Sequence, residues 1–245
     1  GRFRQAEDDL RQALQNARTA GTKHDEVHAR TELCYLKWRR GRTTESLEES
    51  EAALKVAADL ETSEGSLLQI VQHWKLRPLL MNALGHLQMN SAGEASRIAA
   101  EIGAMNPYPA ERRWHLYLLG LIELANKNEA GAVARLKDAF ALEPHEWIPD
   151  ASNGAFFLEA LAQAYLQSGD PENAWKTYEE VTRLTAGRLM YGDIYARSFY
   201  ELGKIAESRN DDGRARENYA KFIDLWKDAD PGRPEVEDAR KRLAA

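Results

Sequence analysis

Cysteine is nearly absent from this sequence, since Cys34 is the only one in 245 residues. A single thiol excludes an internal disulfide framework and suits a reducing compartment. Apolar runs of membrane-spanning length are also missing, and the first residues, Gly-Arg-Phe-Arg, do not resemble a signal peptide. We therefore expect a cytoplasmic chain with no membrane span.

Strand signals and excess positive charge are scarce as well. No β-rich stretch stands out, so the sequence predicts an all-α protein. A hydrophobic content of 43% with 29% charged residues is that of a soluble globular chain with a large core. The formal net charge of −6 argues against a general nucleic-acid binder, because such proteins neutralise phosphates with cations.

Catalytic motifs are missing too. The chain has no glycine-rich phosphate loop, no His-Arg-Asp run and no evident Ser/His/Asp or paired-carboxylate arrangement. His24 and His28 are one helical turn apart, but Asp25 and Val27 break both zinc-protease patterns, and no third ligand is evident. We predict no enzyme, no metal site and no cofactor, and interpret these histidines as a solvated helix start.

Two other features have both a functional and a structural interpretation. The basic run 37–42 could hold a phosphate or an acidic partner, but a solvated helix end with cations near the helix dipole is favoured. Cys34 lies on a predicted packing face, so a buried small side chain is favoured over a nucleophile.

What the sequence does contain is a helical hairpin at residues 158–181. Its apolar residues recur at the spacing of one helix face. Gly169 can adopt the left-handed conformation that ends a helix, and Asp170 can cap the next helix. Ala162 and Ala174 are predicted at the closest approach of the two helices.

Similar hairpins are predicted along the rest of the chain. They span residues 24–59, 66–105, 108–144, 151–186 and 192–227. Pro78 either begins or kinks the first helix of the second hairpin. Residues 1–20 match a second helix without its partner, so we expect the chain to be part of a longer protein. Residues 233–245 have the charged pattern of a terminal capping helix.

The hairpins resemble tetratricopeptide repeats, which are helical hairpins of about 34 residues. Segments 191–204 and 222–231 further resemble the C-terminal repeat region of large bacterial signalling proteins, where such repeats follow a eukaryotic-like serine/threonine kinase or another regulatory domain. The resemblance implies one solenoid over residues 1–245, a right-handed α–α superhelix of about twelve helices. It has five hairpins, a leading half-repeat and a capping helix, and it implies a sensor or docking module.

In tetratricopeptide arrays the first helices of successive hairpins line a concave groove that receives a peptide. Aromatic and arginine side chains anchor interfaces most often, although Trp114, Tyr117 and Tyr200 fit packing between hairpins equally well. The lysine and asparagine pair of the carboxylate clamp occurs at none of the groove positions. The groove candidates carried over by position are Thr31, Tyr35, Trp38, Arg77, Trp114, Tyr117, Glu159, Gln163, Arg197, Tyr200 and Lys204.

The sequence therefore predicts a non-catalytic scaffold that binds a protein or peptide segment in this groove. Self-association, or regulation of an attached kinase domain, is the alternative. A metal-binding or nucleic-acid-binding module fits less well. If the groove is not the site, the stretched loops at 60–75, 144–151 and 186–192 are the next candidates.

Overall fold

The structure is a computed structural model that describes residues 1–63, 68–105, 111–143 and 153–244. Every regular element in these ranges is an α-helix, which confirms the predicted all-α class. The helices are α1 (Phe3–Ala20), α2 (Lys23–Arg39), α3 (Thr43–Ser63), α4 (Leu68–Gln88), α5 (Ala92–Ala104), α6 (Arg112–Ala125), α7 (Glu129–Ala141), α8 (Gly154–Gln167), α9 (Pro171–Arg183), α10 (Thr185–Met190), α11 (Gly192–Ser208), α12 (Asp212–Leu225) and α13 (Pro234–Ala244).

Two features of the observed helices differ from the sequence expectation. The short helix α10 adds a thirteenth element to the twelve expected, because six residues are too few to show a helical period. Helix α4 begins at Leu68 and runs through Pro78, so Pro78 does not begin it. No described helix is both long enough and apolar enough to cross a bilayer.

Each turn between paired helices contains a single residue with left-handed backbone angles. Gly41 and Gly169 have φ of 72° and 75°, as their residue type predicts. At the equivalent turns Asn90, Lys127 and Asn210 adopt φ between 58° and 61° without being glycine. The left-handed turn is therefore a property of the hairpin and not only of the glycine.

The chain divides into two compact units, each of which is described separately. In the first unit, Phe3–Lys127, each helix from α1 to α6 packs on the next one along the chain. The first helices of successive hairpins also touch, because α2 contacts α4 and α4 contacts α6. Helices α3 and α5 make no comparable contact with each other within the described residues.

The second unit contains Gly1–Arg2 and Asn128–Ala245. Helix α7 packs on α8, α8 on α9, α9 on α11, α11 on α12, and α12 on α13. The first helices α8 and α11 are again in contact, and α10 lies against α8, α9 and α11. The two helices of segment 108–144 fall in different units, α6 in the first and α7 in the second.

Small residues allow the paired helices to approach closely. Ala162 and Ala174 have no exposed surface, as predicted for the closest contact of α8 and α9. On α11, a Cβ built at Gly203 would lie 2.5 Å from a ring carbon of Tyr219, so only glycine fits there without movement of the ring. Helix packing at this distance leaves no room for a longer side chain.

Candidate functional site

The layer of first helices is the candidate binding surface in each unit. Within the described part of each unit, successive first helices touch one another, whereas successive second helices make no comparable contact. We therefore take the side of the first helices as the side on which a groove is expected. The predicted groove residues lie on α2, α4 and α6 of the first unit and on α8 and α11 of the second.

Helix α2 presents two half-buried aromatic side chains. The rings of Tyr35 and Trp38 are 6.1 Å apart, and the guanidinium of Arg39 lies 5.7 Å from the Trp38 ring. Thr31, one turn earlier, is buried and its hydroxyl donates a hydrogen bond to the Val27 carbonyl at 2.7 Å. Tyr35 and Trp38 therefore retain accessible surface, whereas Thr31 contributes to packing.

Helices α4 and α6 are joined by a stacked pair. The guanidinium of Arg77 lies 4.6 Å from the centre of the Trp114 ring, within the range of a cation–π interaction. Trp114 and Tyr117 are each only 3% exposed and meet edge to face. For these two aromatic residues the structure favours the packing interpretation, and the half-buried Arg77 is the accessible group of the cluster.

In the second unit, the second helix α9 contains a tyrosine with a buried hydroxyl. Tyr178 of α9 is 2% exposed, and its hydroxyl has no hydrogen bond of normal geometry among the described residues. Burial, together with the carboxylates of Glu201 and Glu159, raises the pKa of Tyr178 well above its usual value. The positive charge of Arg197 and the side chain of Gln163 lower this pKa, but the effect of burial is larger. On α8, the side chain of Glu159 is half-exposed and that of Gln163 is exposed.

Two of the three groove candidates on α11 are engaged by helix α13. The Tyr200 hydroxyl donates to Asp238 of α13 at 2.7 Å, and burial and this carboxylate raise the pKa of Tyr200. Arg197 lies 3.5 Å from Glu235 of α13. Lys204 is exposed and pairs with Glu201 on its own helix at 2.9 Å.

The basic run 37–42 is neither a free anion site nor a solvated helix end. Lys37 is buried and pairs with Glu49 at 2.9 Å, while Arg40 and Arg42 bind the carboxylate of Glu7 at 2.5 and 2.7 Å. Glu7 itself is 6% exposed. The sequence interpretation missed the contacts of Glu7 because Arg40 and Arg42 are more than thirty residues away from it, and the packing of α1 on α2 brings them together.

Cys34 and the two N-terminal histidines do not form a reactive site. Cys34 has no exposed surface, its Sγ lies 3.1 Å from the Ser46 hydroxyl, and burial raises its pKa to about 11. Its thiol therefore stays protonated at neutral pH and acts as a packed side chain, as the favoured interpretation held. His24 stacks on Trp74 at 5.0 Å, and no group of three metal-ligating side chains occurs among the described residues.

The stretched loops are only partly within the described ranges. Residues 64–67 of loop 60–75 and residues 144–151 lie outside them. The loop at 186–192 contains most of α10 and Tyr191, whose hydroxyl bonds to the Asn153 side chain.

Comparison with known proteins supports a tetratricopeptide-like solenoid. A family model described as the tetratricopeptide repeat matches residues 157–187, which contain most of α8 and all of α9. No curated protein sequence matches the chain. The similarity to solved structures is therefore one of fold, since all the identities discussed below are under 25%.

Three solved structures illustrate the similarity. BtubC from P. vanneervenii has a TM-score of 0.62 at 14% identity, over 82% of this chain and 81% of BtubC. A tetratricopeptide repeat protein from Parabacteroides merdae has a TM-score of 0.50 at 14% identity, over 98% of both chains. A signal transduction ATPase with numerous domains and a tetratricopeptide repeat sensor, from Pyrococcus horikoshii, has a TM-score of 0.54 at 15% identity, over 89% of this chain but 31% of the ATPase.

These similarities define the class of the protein as an all-helical repeat solenoid. Proteins of this fold generally mediate contacts between proteins and are typically scaffolds without catalytic residues of their own.

Proposed function

We propose that the chain is a non-catalytic scaffold that binds a protein or peptide segment along its layer of first helices. The observation that carries the proposal is the half-buried row on that layer in the first unit, formed by Tyr35 and Trp38 on α2 and Arg77 on α4. Aromatic and arginine side chains with remaining accessible surface are the residue types that most often anchor protein interfaces. A contact between α2 and α4 supports a continuous surface across the row.

In the second unit, taken by itself, we propose that a partner contacts Glu159 and Gln163 of α8 and Lys204 of α11. All three side chains are polar, and those of Gln163 and Lys204 are exposed. The buried residues Thr31, Trp114 and Tyr117 are left out, because a partner could reach them only by displacing the helices around them.

The wider setting of the scaffold is also part of the proposal. We propose a sensor or docking role inside a larger bacterial signalling protein in the cytoplasm. The solved ATPase with a tetratricopeptide repeat sensor supports this role, since this chain matches 31% of that larger protein in fold. Regulation of an attached kinase domain would be one form of such a role.

The experiment uses a peptide selected from a displayed random library against the full chain. Trp38→Ala and Gln163→Arg change the proposed surface, while Trp175→Ala is the matched control. Trp175 is also half-buried and has an arginine at a similar distance, but it lies on the second helix α9. An anchor worth about 2 kcal/mol predicts a loss of roughly 30-fold in affinity for Trp38→Ala.

The variants must first have the circular dichroism spectrum and melting midpoint of the unaltered chain. If the selected peptides bind both surface variants as tightly as the unaltered chain, the layer of first helices is not the binding site. Binding that is lost only in Trp175→Ala would place the site on the second helices.

A further inference from the structure

Helix α13 covers an aromatic surface formed by α11 and α12. We call this surface the "aromatic face"; it consists of Tyr200, Tyr219, Phe222 and Trp226. Tyr200 lies 5.4 Å from Phe222 and 6.1 Å from Tyr219, and Phe222 lies 5.0 Å from Trp226. Four connected rings at the end of a helix pair form a large apolar platform for another helix.

The way in which α13 lies on this face defines the chemistry of a suitable occupant. Glu235 and Asp238 accept contacts from Arg197 and Tyr200 of α11, and Arg242 pairs with Glu207 of the same helix. These three α13 residues have the i, i+3, i+7 spacing of one helix face.

The apolar contact of α13 is small by comparison. Only Val236 and Ala239 of its eleven residues are buried, whereas Tyr219 and Phe222 of α12 are both completely or nearly completely covered. A solvent-open pocket of about 190 Å³ lies beside the helix, lined in part by Arg242, Tyr219 and Ala215. The apolar contact that holds α13 is therefore limited to two small side chains.

A short connection joins α12 to α13. Eight residues separate Leu225 from Pro234, and the first of them are fixed. Asp230 donates its backbone N–H to the Gly1 carbonyl at 3.0 Å. Beyond it, Gly232 has a left-handed φ of 75°, and the guanidinium of Arg233 lies 5.6 Å from the centre of the Trp226 ring. A helix of eleven residues has little stability by itself in water, so α13 remains folded mainly through these contacts.

We propose that the aromatic face is a binding site for an acidic amphipathic helix of a partner protein, and that α13 occupies it as an exchangeable internal ligand. The partner helix has a carboxylate, a small apolar residue, a second carboxylate and an arginine at the positions of Glu235, Val236, Asp238 and Arg242. Binding occurs when the partner helix displaces α13. This inference does not depend on the proposed site on α2 and α4.

The probe is a fluorescent synthetic peptide with the sequence of residues 233–244, added to the full chain. In the chain, the double substitution Glu235→Gln with Asp238→Asn weakens the internal helix and leaves the aromatic face unchanged. We expect the peptide to bind this variant at least ten-fold more tightly than the unaltered chain. Glu237→Gln is the matched control, since Glu237 is an exposed carboxylate of α13, and it should leave the affinity unchanged.

Two further measurements separate an exchangeable helix from a permanent one. Peptides with lysine in place of Glu235 and Asp238 should not bind. Tyr200→Phe in the weakened chain should lower the affinity for the unaltered peptide several-fold and leave the circular dichroism spectrum unaltered. Backbone amides of α13 should exchange with deuterium at least ten-fold faster than those of α12.

The proposal is overturned if the peptide binds neither the weakened nor the unaltered chain, or if the amides of α13 and α12 exchange at the same rate. It is also overturned if the weakened chain forms dimers that exchange α13, since the occupant would then be a second copy of this chain.

Discussion

The carboxylate of Glu7 is predicted to be the most sensitive charged group in the first unit. It lies on α1 and accepts hydrogen bonds from Arg11 at 2.7 Å, from Arg40 at 2.5 Å and from Arg42 at 2.7 Å. Its side chain is 8% exposed. Glu7→Ala removes the one acceptor that these three guanidinium groups share, so each loses a contact at the same time.

The expected loss in the free energy of unfolding depends on how exposed the three arginine side chains are. A hydrogen bond to a charged group contributes about 1.5–3 kcal/mol. The exposed Arg11 pair adds only about 0.3–0.5 kcal/mol. Arg40 and Arg42 are 21% and 29% exposed, so water replaces part of what they lose, and Arg42 keeps its bonds to Glu45. We expect a cost of about 2–3 kcal/mol, somewhat below the ~3–5 kcal/mol of a fully buried pair.

The assay is urea unfolding followed by circular dichroism, with Asp8→Ala as the control. Asp8 is the exposed acidic neighbour of Glu7 on α1, so its removal should change the free energy of unfolding by less than about 0.5 kcal/mol. The deficit of Glu7→Ala should persist at high salt, because buried pairs are screened less than surface pairs.

Equal stability of Glu7→Ala and Asp8→Ala would refute the reasoning. It would mean that the arginines find other acceptors or water at no cost. A deficit that disappears in concentrated sodium chloride would show instead that the contact behaves as a surface ion pair.

Three other changes test the packing, the turns and the charge network. Ala174→Leu should destabilise the chain by about 1–3 kcal/mol through overpacking, whereas Lys176→Leu, at an exposed position of the same helix, should have little effect on the melting midpoint. Lys127→Gly should stabilise by roughly 0.5–1 kcal/mol in thermal unfolding, since Lys127 adopts a φ of 61° that glycine tolerates without strain; a lower midpoint would contradict this. Burial raises the pKa of Glu26, but hydrogen bonds from two arginines outweigh it and hold the pKa below the usual 4.5. Its stabilising contribution is therefore complete above the unfolded value and is lost as the pH falls through the lower folded value, so Glu26→Gln should flatten the acid limb of a stability–pH curve.

The sequence by itself determined the local features of the fold. The left-handed turn at Gly169 and the cap at Asp170, whose carboxylate accepts the Asn173 N–H at 3.0 Å, are predictable because they involve residues next to one another in the chain. The burial of Ala162 and Ala174 follows from the spacing of small residues in one hairpin. Helix α10 is not predicted because its six residues are too few for an apolar pattern to repeat along one helix face.

The candidate site was only partly predictable. The spacing of the repeats placed Tyr35, Trp38 and Gln163 on first helices, but it did not distinguish them from Trp114 and Tyr117, which are on the same kind of helix and are buried. The exposed fraction of a side chain depends on what the neighbouring hairpin brings against it, and that neighbour is not specified by the pattern within one hairpin.

Only the tertiary structure decided where the charges lie. Glu7 and Arg42 are 35 residues apart, and Tyr200 and Asp238 are 38 residues apart. From the sequence, Arg42 is expected at a solvated helix end and Tyr200 in the groove or in packing between hairpins, and no spacing assigns Glu7 or Asp238 a partner. Packing of one helix on another removes water from the charged groups, and the charges then stabilise the fold only where that packing also provides an opposite charge or a hydrogen-bond partner.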